Sequence, residues 1–183
     1  MNKTLDRCDL LITGGQVIDG TGCPAITADV AVQGDRIIAV GDLTVEKADA
    51  VIDAQGKVIT PGFIDVHTHD DRLLLSNSEV TPKLSQGVTT VVVGNCGVSL
   101  SPWLSDRAPP PPLDLVFSDG KNGAHFSTFH SYSTELARRP AAINALPLIG
   151  HSTLRCGAMD RLDRPATQAE IEQMRTLLRE SLA

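Results

Sequence analysis

The sequence predicts an α/β fold in two portions, a β-rich stretch followed by alternating strands and helices. Three observations carry this. Residues 8 to 60 read as short apolar runs punctuated by glycine-containing turns, the pattern of small antiparallel β structure. From Phe63 the runs become β-branched and alternate with helix-like stretches, which predicts parallel βα units. Between the two lies Ile59-Thr-Pro-Gly-Phe-Ile-Asp-Val-His-Thr-His-Asp-Asp71, a turn, a short apolar run and two histidines.

The β-rich portion contains three candidate hairpins. Asp9–Thr13 and Gln16–Asp19 flank Gly14-Gly15, Ala28–Gln33 and Arg36–Val40 flank Gly34-Asp35, and Ala50–Ala54 and Lys57–Thr60 flank Gln55-Gly56. None of these residues is a chemical centre, so their expected role is structural. In the second portion, Phe63–Val66 reads as a buried first strand. A short helix is expected over 80–86, closed by Gly87, and Val88–Val93 is the second strand. Pro109 to Pro112 predict an extended connection, because proline lacks the amide that a helix needs.

Ser127 or Thr128 is expected to cap a helix reaching Arg138, which Pro140 prevents from continuing. Ile143–Ile149 is the third strand. Thr167-Gln-Ala-Glu170 is a capping box, opening a helix with Ile171, Met174, Leu177, Leu178 and Leu182 along one side. That stripe asks for a sheet to cover.

Composition narrows the function classes. With 42% hydrophobic and 21% charged residues the chain is globular. A net charge of -6 argues against non-specific binding to nucleic acid or to an anionic membrane surface. The sequence shows no apolar run near the ~20 residues of a membrane span and no signal-peptide pattern at its charged N-terminus. Cys8, Cys23, Cys96 and Cys156 are scattered, without a Cys-x-x-Cys pair, which predicts free thiols in a reducing cytoplasm.

The chemistry is concentrated at the strand ends. Successive strand side chains alternate faces, so His67 and His69 project together and form a half-site for zinc or a similar ion. Cys96, in Gly94-Asn-Cys-Gly97, follows the second strand and belongs on the same rim. It reads either as a third ligand or as a small buried cysteine; a nucleophilic Cys-His pair is a further option. His151 follows the third strand, where it either orients substrate or makes a structural hydrogen bond. His125 and His130 read as solvated or capping residues. Asp65 shares the face of His67 and either orients that ligand or closes a salt bridge; Asp70 and Asp71 flank His69. Arg155 either meets a substrate carboxylate or pairs on the surface.

Pro61-Gly-Phe-Ile-Asp-Val-His-Thr-His69 resembles the first barrel strand of the amidohydrolase superfamily. Val93-Gly-Asn-Cys-Gly-Val-Ser99 and Leu148-Ile-Gly-His-Ser-Thr-Leu-Arg155 look like its D-aminoacylase branch, the N-acyl-D-amino-acid deacylases. The resemblance implies a small β-sandwich portion over 1–60 and an incomplete metal-dependent (β/α)8 (TIM) barrel over 61–183. At 183 residues the chain is shorter than the about 250 that a whole barrel needs. It is therefore expected to be an N-terminal fragment, inactive alone.

The resemblance further implies one or two zinc ions held by His67, His69 and Cys96, and hydrolysis of the amide of a small-molecule N-acyl-D-amino acid. It places the general-base aspartate on a later strand, beyond residue 183. The alternatives are a hydantoinase- or dihydroorotase-like cyclic amidohydrolase, and a non-catalytic metal-binding remnant that needs a complementing chain.

Overall fold

The computed structural model describes residues 3–111, 113–114 and 126–183. Pro112 and His125 lie outside the described residues. The chain divides into two compact units, Met1–Pro61 and Gly62–Ala183.

In the first unit, β1 (Lys3–Val17), β2 (Ile26–Gln33), β3 (Arg36–Gly41) and β4 (Leu43–Asp53) form a sheet in the order β3-β2-β1-β4, with β5 (Val58–Ile59) also pairing with β1. The expected hairpin at Gly34-Asp35 is present, joining β2 and β3 antiparallel. The other two are not hairpins. Residues 9–17 run on as part of β1, bulged between Ile12 and Gly15, and the Gly14 amide donates to Asp29 Oδ1 at 2.9 Å. Gly14 takes φ +67°, a conformation glycine adopts freely, so a pair that reads as a turn serves as a bulge.

Likewise β4 and β5 both run parallel to β1 along its one edge. The step between them sits level with the bulge: the Ala54 amide donates to the Thr13 carbonyl and the Gln16 amide to the Lys57 carbonyl, each at 2.9 Å. The ladder on the long strand β1 thus takes precedence over local closure. Cys8, Ala31 and Ala39 form the core of this unit, with Leu5, Leu11, Ile38 and Val45 against them.

In the second unit, β6 (Phe63–Asp65), β7 (Val88–Val93) and β8 (Asn144–Pro147) form a parallel sheet in the order β6-β7-β8. Helices α1 (Leu73–Ser76), α2 (Thr81–Leu84) and α3 (Phe129–Arg138) lie between the strands in sequence, and α4 (His151–Ala158) and α5 (Gln168–Leu182) follow them. Both predicted caps form. Thr128 Oγ1 accepts from the Ser131 amide at 3.1 Å, and Thr167 and Glu170 complete a reciprocal capping box. Val91 and Val93 of β7 pack with Leu74, Val80 and Ile143, so the middle strand anchors the core.

Two expectations are corrected here, and one helix is new. The first strand is not buried: Phe63 is 59% and Ile64 61% exposed, because β6 is an edge strand with β7 as its neighbour. The apolar stripe of α5 covers a helix instead of a sheet, packing mainly on α4, and while Leu177 is buried Leu182 stays exposed. The segment after the third strand forms α4, although its residues carry no helical pattern. Its buried face, Thr153, Leu154 and Cys156, shows packing overriding weak propensity.

Candidate metal centre

The three parallel strands end on one rim, where sites collect in βα folds. The chain leaving β6 is stitched to the end of β7. The Thr68 amide donates to the Val92 carbonyl at 3.3 Å, and Asn95 Nδ2 donates to the carbonyls of Val92 (2.7 Å) and Thr68 (3.3 Å). Past the end of β6, Thr68 is buried between the exposed His67 and His69, whose ring centroids are 6.0 Å apart.

Cys96 arrives from β7 through a 3-10 turn, Asn95–Gly97, preceded by Gly94. It has φ +55°, a left-handed conformation that costs a residue with a Cβ about 1–2 kcal/mol. Its Sγ lies 3.0 Å from His67 Nε2. The ligand-type atoms of His67, His69 and Cys96 all lie within 4.8 Å of one another, and the three residues are exposed. Cys96 is therefore not the buried core cysteine that the sequence left open.

Zinc at its usual bond lengths of about 2.0–2.3 Å holds tetrahedral ligands about 3.5 Å apart. Two imidazoles and a thiol at these separations match that donor set.

The acidic residues divide into two environments. Lys83, on α2, donates to Asp65 Oδ2 at 2.6 Å and pairs with Asp70 Oδ2 at 3.1 Å. Asp65 also accepts from the His67 amide at 3.2 Å, and Asp70 from Thr68 Oγ1 at 2.6 Å. The Lys83 hydrogen bond, then that of the His67 amide, holds the Asp65 carboxyl below the usual range, while Asp65 raises the Lys83 ammonium. Asp65 thus closes the salt bridge read for it, and its other hydrogen bond goes to the His67 backbone amide.

Asp71 is fully buried, and among the described residues neither carboxyl oxygen has a hydrogen-bond partner of normal geometry. Burial pushes its pKa up to about 6, partly opposed by the nearby Gly94 amide. An acid whose pKa rises on folding favours the folded state below its unfolded value, near 3.8. That advantage is lost as pH climbs to about 6. Asp71→Asn is accordingly expected to flatten stability between pH 4 and 6 and to raise it at pH 7 by at most about 3 kcal/mol. Urea melts of the metal-stripped chain measure this, and an unchanged pH slope would refute it.

His151 opens α4 and is exposed. It is held beside the Cys96 turn by its neighbours, since the Gly150 amide donates to Ser99 Oγ at 2.9 Å, but it does not join the three-donor cluster. Arg155 Nη2 donates to the carbonyls of Leu162 (3.4 Å) and Arg164 (3.2 Å) and braces its own loop. His130 is exposed on α3. Sequence reasoning missed Lys83, which carries no motif of its own, and the bracing role of Asn95, which lies inside the Gly94-Asn-Cys-Gly97 motif but reads there only as the neighbour of Cys96.

The sheet and the donor set define a class: a parallel α/β protein with a candidate divalent-metal site at the carboxyl ends of its strands. Residues 50–183 match the model of the amidohydrolase family, and the chain belongs to that family. It is 51% identical over 175 residues to a D-aminoacylase of Alcaligenes xylosoxydans xylosoxydans, across 96% of this chain and 36% of that one. A D-aminoacylase structure with a binuclear metal centre superposes with a TM-score of 0.89 at 50% identity, over 96% of this chain and 36% of that one. The N-acyl-D-glutamate deacylase of Bordetella bronchiseptica, solved with zinc and a phosphonate mimic of the tetrahedral intermediate, gives 0.89 at 40% identity, over 97% and 36%. The chain thus spans about a third of the length of these relatives. Among the described residues no helix is long and apolar enough to cross a membrane.

Proposed function

We propose that this chain supplies the first metal ligands of a zinc-dependent amidohydrolase that cleaves the amide of N-acyl-D-amino acids. The convergence of His67, His69 and Cys96 carries the reading, and the deacylases to which the chain is similar support it. His67, His69 and Cys96 would hold a divalent ion there, which would supply Lewis acidity toward a carbonyl and bound water. Asp65 orients the His67 backbone, Asn95 fixes the Cys96 turn against Thr68, and the rim exposes the three donors toward substrate.

Proton transfer calls for a carboxylate that is accessible and unengaged. Asp65 and Asp70 are tied to Lys83, and Asp71 is buried. The base is therefore read as coming from outside the described residues. We read β6, β7 and β8 as the opening strands of a (β/α)8 barrel. Its further strands, in the same chain or a complementing one, would cover the exposed apolar side chains of β6 and β8, Phe63, Ile64 and Leu146. Residues 1–60 are read as part of a β-sandwich, and the four free cysteines support a reducing cytoplasm.

The 3.0 Å Cys96–His67 contact would also suit a thiolate–imidazolium nucleophile. A nucleophile pair leaves the third donor, His69, without a use. The test is a chimera in which residues 1–183 replace the matching part of the Alcaligenes D-aminoacylase. Zinc-dependent release of D-amino acids, lost on His67→Ala, is expected. Metal-independent turnover would favour the nucleophile, and hydantoin opening without deacylation would move the assignment to cyclic amides.

A further inference from the structure

The hydrogen bonds around Lys83 close a loop that the metal reading does not itself use. We propose that Lys83 is a positioning residue, an ionic clamp that holds the two histidines in ligating geometry by binding both carboxylates that flank them. The inference rests on the metal reading above.

The geometry is specific. Asp65 lies two residues before His67 and Asp70 immediately follows His69, so the two carboxylates bracket the ligand segment. A single ammonium reaches both, at 2.6 and 3.1 Å, with 23% of its side-chain surface exposed. Each carboxylate also accepts a hydrogen bond inside the same segment, Asp65 Oδ1 from the His67 amide and Asp70 Oδ2 from the Thr68 hydroxyl. The backbone amide of one candidate ligand and the residue between the two are thus tied to one point on α2. Lys83 lies on that short helix, whose neighbour Val80 is buried in the core with Val91 and Val93, so the clamp is anchored on the sheet.

Charge supports the same role. Without the ammonium, two carboxylates beside a cation site would be free to turn toward the ion and compete with the imidazoles as ligands. With it, both are engaged, and the two carboxylates and the ammonium together carry one net negative charge. Most surface ion pairs contribute little. This one is partly desolvated and has two acceptors, and outer-shell partners of metal ligands typically contribute 10–100-fold in affinity.

The test is cobalt binding to the 183-residue chain, read from the thiolate-to-cobalt charge-transfer band and the ligand-field bands, with a thermal melt of each metal-free variant beside it. Lys83→Met is expected to weaken cobalt binding by about tenfold or more and to shift the ligand-field bands toward higher coordination, as freed carboxylates enter. In an Asp65→Asn/Asp70→Asn background, Lys83→Met is expected to have no further effect, because the clamp acts only through those carboxylates. A purely structural lysine would lower the melting temperature in both backgrounds and leave the bands of the bound fraction unchanged.

Wild-type affinity and spectrum in Lys83→Met would overturn the clamp while leaving the metal centre standing. Should Lys83→Met fail to fold, the Asp65→Asn and Asp70→Asn single variants carry the test: cobalt affinity unchanged in both refutes the clamp. A wild-type chain with no thiolate-to-cobalt band would overturn the metal reading and the clamp together.

Discussion

Replacing Cys96 with alanine is expected to weaken divalent-metal binding by about a hundredfold or more. Structural zinc sites bind with roughly 10–16 kcal/mol shared among four ligands, so one lost ligand removes several kcal/mol. Thiolate is the softest donor in the cluster, and its Sγ stands 3.0 Å from His67 Nε2, where it can share an ion with that ring. Cys96→Gly should lose the metal to the same degree yet give a more stable metal-free chain than Cys96→Ala. Glycine takes the left-handed φ of +55° without the Cβ clash that alanine retains, a difference of about 1–2 kcal/mol. Zinc competition titrations and urea melts of the two variants measure the pair of effects. Undiminished affinity in Cys96→Ala would remove the thiol from the site, and equal stability would mean that no strain is stored there.

The second large effect is expected at Gly94, at the end of β7. Its φ is +83°, and a Cβ there would overlap the Leu148 carbonyl oxygen, which belongs to backbone just past β8. Backbone strain of about 1–2 kcal/mol and overpacking of about 1–3 act together, because the Leu148 amide is itself bonded to the Val93 carbonyl at 2.9 Å and cannot withdraw. Gly94→Ala should therefore cost about 4 kcal/mol. Gly87→Ala is the control within the same unit. Its φ of +77° brings the strain, but the nearest neighbour is a Phe63 ring carbon at an ordinary 3.4 Å, so about 1–2 kcal/mol is expected. Denaturant midpoints at constant slope measure both. Equal losses at the two glycines would show that the close approach at Gly94 is unimportant.

The two units differ in how much of them the sequence reveals. The parallel order of β6, β7 and β8 follows from β-branched runs alternating with helices. The caps at Thr128 and Thr167 follow from side-chain oxygens placed three residues before amides that have no helical partner. In the β-rich unit, glycine pairs announced a change of direction but not which partner the strand would take. Gly14-Gly15 is a bulge and Gln55-Gly56 a step because β1 offers a long edge whose donors lie far away in sequence. A local pattern carries no record of such a ladder.

For the site, the candidate donors are legible in the chain by itself. The period of two in an extended chain predicts that His67 and His69 share a face, and both turn outward just past the end of β6; Cys96 lies on their rim because parallel strands end together. The tertiary structure alone decided which groups surround them. It exposed Cys96, left His151 outside the cluster, engaged Asp65 and Asp70 with Lys83, and buried the Asp71 carboxyl without a hydrogen bond of normal geometry among the described residues. The reason is physical. Ligand identity and facing are properties of backbone period and side-chain chemistry, which are local. Burial and ion pairing depend on what the rest of the fold brings within about 4 Å, and that is settled only when distant segments pack.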